Sequence, residues 1–83
     1  MKSKVSKASK RFAQDVSANL MNLRLKRELT QEKLANKSGI DRKTINRIEN
    51  GHFSPSMDTF FRICGALGVK PVDVMKSASK VKK

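Results

Sequence analysis

The chain is poor in cysteine, histidine and long apolar runs, and each shortage excludes something. A single cysteine, Cys64, among 83 residues allows no intramolecular disulfide. With one histidine, His52, it cannot assemble a structural zinc site either, so no metal or cofactor is expected. This usage fits a reducing cytoplasm. No stretch approaches 18 consecutive apolar residues, and the N-terminal MKSKVSKASK carries cations without an apolar core segment. Neither a membrane span nor a signal peptide is therefore read here. Catalytic dyads, metal-ligand spacings and glycine-rich phosphate loops are also missing, and 83 residues leave little room for an internal active-site cavity. An enzyme is not expected.

Acids are few and unevenly placed. Nineteen Lys and Arg against seven Asp and Glu give a net charge of +12. Residues 1–11 carry Lys2, Lys4, Lys7, Lys10 and Arg11 without an acid, and residues 76–83 carry Lys76, Lys80, Lys82 and Lys83, again without one. These Ser- and Lys-rich ends read as flexible basic arms around one small domain over 12–75. Such an excess of cations suggests a polyanionic partner, because each phosphate neutralised releases condensed counterions.

What the middle does contain is apolar spacing of three and four, in five short blocks, with no strand-like alternation and no repeat. The first runs from about Phe12 to Lys26, with Phe12, Val16, Leu20 and Leu23 on one arc and Arg24 at its edge. Thr30 caps the second, which Ser38-Gly39 ends, and Asp41 caps the third, which Asn50-Gly51 ends. Ser56 caps the fourth, presenting Met57, Phe60, Phe61, Cys64 and Leu67 up to Gly68. Pro71 opens the fifth, with Val72 and Met75. The expectation is an all-α bundle with short connections.

Helix, glycine turn, helix is the form of blocks two and three. On a helical wheel of block three, Asp41, Ile45 and Ile48 share the inward arc, and Lys43, Asn46, Arg47 and Asn50 gather opposite, with Arg42 lateral. The outward face is thus cations and amides only. A solvated face of an ordinary helix usually mixes glutamate with lysine. Arginine and lysine donate to guanine O6 and N7, and asparagine pairs with adenine N6 and N7.

The string LTQEKLANKSGIDRKTINRIENG, followed by SPSMDTFFRICGALGV, resembles the Cro/CI-type (XRE) helix-turn-helix family of bacterial and phage regulators, from about Leu20 to Met75. The resemblance implies a five-helix lambda-repressor-like domain, cytoplasmic in a prokaryote or phage, that binds a near-palindromic operator as a dimer with helix 41–50 in the major groove. It implies base reading by Arg42, Lys43, Arg47 and Asn46, and phosphate contacts from Thr30, Gln31, Asn50 and His52, with Ser54 nearby. It also implies a largely buried salt bridge between Arg24 and Glu49, and where the family often carries glycine this chain has Glu28. Repression is the leading role. The alternative is an antitoxin that neutralises a toxin and autoregulates its operon, its partner surface being a second apolar stripe of Ala18, Met21 and Leu25.

Overall fold

The computed structural model describes residues 7–52 and 54–78, and the expected arms therefore lie outside the described residues except where they enter helices. Five helices follow one another: α1 Lys7–Lys26, α2 Gln31–Ser38, α3 Arg42–Glu49, α4 Met57–Leu67 and α5 Pro71–Ala78. Among the described residues there is no strand. α1 packs on α5, α3 and α4, and α2 packs on α3 and α4. Every helix contributes to one core, whose most buried members are Leu20, Leu34, Ile45, Ile48, Ile63 and Cys64.

The helix ends follow local chemistry. Thr30, Asp41 and Ser56 sit in extended backbone, and each accepts a hydrogen bond from an amide three residues on. Three helices close with paired bonds behind a left-handed residue. In α1 Leu29 N–H donates to Arg24 C=O and Glu28 N–H to Leu25 C=O. The same pair recurs at Gly51–His52 onto Ile48 and Arg47, and at Gly68–Val69 onto Gly65 and Cys64. Glycine occupies the left-handed position twice. Glu28 occupies it in α1 with φ +54°, the strained conformation that L side chains avoid.

Four expectations need correction. α1 begins at Lys7, not at about Phe12, because Lys, Ala and Arg favour helix even where no apolar period marks it. Asp41 is exposed, since a cap lies outside the helical wheel. In α4 the buried face is Phe60, Ile63, Cys64 and Leu67, which leaves Met57 and Phe61 more than half exposed. In α5 Val74 and Ala78, one turn apart, face the core and Val72 faces out.

Candidate nucleic-acid interface

α3 is held from behind. Ile45 and Ile48 are 1% exposed, and with those two fixed the helix must present Arg42, Lys43, Asn46, Arg47 and Asn50 to solvent, as it does. Asp41 starts the helix with one carboxylate oxygen on Thr44 N–H at 3.2 Å and the other on the Thr44 hydroxyl at 2.7 Å. The hydroxyl and then the amide hold its carboxyl below the usual aspartate range. The one acid at the front of α3 is thereby turned onto its own helix.

Glu49 is the other acid, and it faces the interior. Its Oε2 accepts from Arg24 Nε at 2.7 Å and its Oε1 from Arg24 Nη2 at 2.9 Å. Both residues are buried, at 8% exposure. The remaining Arg24 nitrogen, Nη1, donates to Leu29 C=O at 2.7 Å, so one guanidinium ties α1, the turn into α2 and the end of α3. A planar fork with fixed donors suits this better than a lysine would.

The sequence gives little hint of what joins this bridge to the outward face. Gln31 Nε2 donates to Glu49 Oε1 at 3.0 Å, Asn46 Nδ2 to Gln31 Oε1 at 3.3 Å, and Asn50 Nδ2 to Asn46 Oδ1 at 3.1 Å. Amide follows amide from the buried carboxylate to the surface. Only the one-turn spacing of Asn46 and Asn50 signals it in advance.

The expected phosphate-contacting residues cluster at both ends of this face. Thr30 is exposed and its hydroxyl oxygen already accepts from Lys33 N–H at 3.0 Å, leaving the proton to donate outward. Gln31 is half-buried, and one of its two amide protons is committed to Glu49. At the far end, the amides of Asn50, Gly51 and His52 all close α3, donating to Asn46, Ile48 and Arg47. Their main-chain N–H groups are thus committed to the helix end, and the donors left to a ligand are the side chains of Asn50 and His52. His52 and Ser54 are exposed.

Cys64 is fully buried, and burial pushes its thiol up to about 11, so it belongs to the core and not to a reactive site. Among the described residues no three His, Cys, Asp or Glu side chains gather as metal ligands, and no helix is long and apolar enough to cross a membrane. Of the second stripe on α1, Ala18 and Leu25 are exposed and Met21 is partly buried.

Known proteins share this fold. The HTH_3 helix-turn-helix family model matches residues 20–74. An uncharacterised HTH-type transcriptional regulator of Methanocaldococcus jannaschii is 48% identical over 46 residues, 55% of this chain and 70% of that one. The immunity repressor of Bacillus phage phi105 is 30% identical over 67 residues, 81% of this chain and 46% of that protein. Among solved structures, the restriction-modification controller C.AhdI of Aeromonas hydrophila superposes with a TM-score of 0.71 at 28% identity, covering 76% of this chain and 94% of that one. The chain belongs to the HTH_3 helix-turn-helix family of DNA-binding transcriptional regulators.

Proposed function

We propose that the chain is a repressor that binds a near-palindromic operator as a homodimer, with α3 in the major groove. The observation that carries this reading is the division of α3: the isoleucines and Glu49 inward, and an outward face of cations and amides free of acid. In the reading, Arg42, Lys43 and Arg47 meet base edges, Asn46 joins them from its place on Gln31, and Thr30, Gln31, Asn50 and His52 position the backbone. Arg and Lys favour guanine-containing half-sites. The dimer would set two α3 helices about 34 Å apart, one turn of the duplex. Met57 and Phe61 of α4 and Val72 of α5, each more than half exposed, support dimerisation through the α4–α5 side.

Selection of bound sequences from a random duplex pool tests it, with wild type, Arg47→Ala and Lys43→Ala in parallel. The expected result is a two-fold consensus whose identity relaxes at one or two positions in each variant. If both variants retain the wild-type consensus and lose affinity alone, these side chains contact phosphates and the base-reading assignment is wrong.

A second reading, the antitoxin, is favoured by one observation: Leu25 is 54% exposed on α1, two turns along the same face from exposed Ala18. A toxin partner would seat there, and Leu25→Lys would abolish its capture without altering operator binding.

A further inference from the structure

The N-terminal half of α1 lies beside the loop that leaves the recognition helix. On one flank, half-buried Phe12 and Val16 line an apolar recess with Pro55 and Phe60. On the other flank, Lys10, Gln14 and Ser17 face Gly51 and Ser54 across a cleft of about 200 Å³. That is the volume of several water molecules at about 30 Å³ each. Lys10 and Gln14 stand one turn apart, so both point along the same side of the helix. A side chain at Gly51 would meet nothing within 4 Å, so the cleft is open at the loop.

The first turn of α1 contains no acid, and Lys10 and Arg11 are exposed on this stretch of the helix. The cleft also adjoins the end of α3, since Gly51 lines it. With Arg42 and Lys43 at base edges, the loop after Asn50 comes to the groove's rim, and the rim is sugar–phosphate backbone.

We infer that this cleft seats a backbone phosphate of the bound duplex, with Lys10 supplying the charge and the Gln14 amide and Ser54 hydroxyl donating to its oxygens. The inference rests on the DNA-binding reading above and extends the contact surface from the helix-turn-helix to α1. An acidic peptide would suit the same donors, but the continuity of the cleft with the end of α3 favours the duplex.

The test uses the full chain and a duplex drawn from the selected pool, with affinity measured by fluorescence anisotropy over a series of salt concentrations. Lys10→Ala should weaken binding about three- to tenfold near 0.1 M salt and flatten the log–log salt slope by about 0.9, with the base consensus unchanged. Lys26→Ala is the control, removing the same charge from the other end of α1, sixteen residues and about 24 Å away. It should change the slope by less than half as much. Lys10→Ala behaving like wild type or like Lys26→Ala overturns the seat, which is also the result an acidic-peptide site would give. An altered consensus in Lys10→Ala overturns it too, since a phosphate contact carries no base identity. Wild type binding no duplex above a scrambled one would instead remove the DNA-binding reading, and the seat with it.

Discussion

Arg24→Ala is the substitution whose outcome the structure specifies most closely. The arginine makes three charge-assisted hydrogen bonds, two to Glu49 and one to Leu29 C=O, and its own C=O accepts from Leu29 N–H. Truncation leaves a buried carboxylate with Gln31 as its one remaining donor among the described side chains, and strips a carbonyl in the α1–α2 turn. Hydrogen bonds to charged groups contribute about 1.5–3 kcal/mol each, but desolvation of both ions offsets much of that sum. Removing one partner of a buried pair costs about 3–5 kcal/mol, and a domain this size loses about 4–8 °C in Tm per kcal/mol. Circular dichroism melts should therefore show a drop of roughly 12–40 °C, against a total stability of about 5–15 kcal/mol.

The paired replacement Arg24→Met with Glu49→Leu separates loss of the pair from exposure of a lone charge. Swapping a buried ion pair for apolar side chains of similar volume is often neutral, so the double variant should melt well above Arg24→Ala. A single variant melting within about 2 °C of wild type would refute the reasoning, because a pair this buried cannot be idle. A double variant no more stable than the single would show that the Leu29 and Gln31 bonds, and not the stranded carboxylate, carry the loss.

Other substitutions have equally definite signs. Glu28→Gly relieves a left-handed residue costing about 1–2 kcal/mol, and glycine's extra freedom in the unfolded chain returns part of it, so a gain of about 0.5–1 kcal/mol is expected in urea titrations. A loss would mean that the Glu28 side chain makes a compensating contact. The Cys64 thiol, raised by burial from 9.0 to about 11, stays protonated in the fold while the unfolded chain ionises. Its contribution to stability is therefore full below pH 9 and falls as pH rises toward 11, by at most about 2–3 kcal/mol. Cys64→Ala should lack that part of the alkaline decline, and parallel slopes for the two proteins would refute it. Gln31→Ala and Asn46→Ala should be non-additive in operator affinity, with a coupling of about 0.5–1 kcal/mol in a double-mutant cycle. Strict additivity would place Asn46 outside any arrangement that Gln31 holds.

Much of the fold is legible in the sequence because it is written in periodic apolar residues and in caps. Thr30, Asp41 and Ser56 mark three helix starts, and Gly39, Gly51 and Gly68 three ends, each with a stereochemical reason. What periodicity does not carry is less legible. The start of α1 at Lys7 lies in a polar stretch whose only signal is propensity. Ala78, 1% exposed, is too small to register as an apolar position, although it and Val74 decide which side of α5 turns inward. Ser17 and Ser38 are buried as well, and nothing in their type announces it. At the interface, the exposure of Arg42, Lys43 and Arg47 follows from the isoleucine spacing. The amide ladder does not, because Gln31 and Asn46 are fifteen positions apart and meet only when two helices cross.

The ladder gives a physical reason for a buried ion pair in so small a domain. Apolar contacts are non-directional, so Ile45 and Ile48 fix how deeply α3 sits but constrain its sliding and rotation weakly. A two-pronged guanidinium–carboxylate contact allows one register within a few tenths of an ångström. Here the guanidinium grows from α1 and also holds the turn into α2, so the position of α3 is referred to both helices that precede it. Glu49 then passes that reference on, since the oxygen that accepts from Arg24 Nη2 also accepts from Gln31, and Gln31 in turn accepts from Asn46. An apolar pair at 24 and 49 could match the stability but would have no lone pair with which to orient Gln31. The carboxylate in the middle of a cationic segment thus sets where the outward side chains stand, and under the proposal that α3 reads base edges a displacement of about an ångström is enough to lose a bidentate contact.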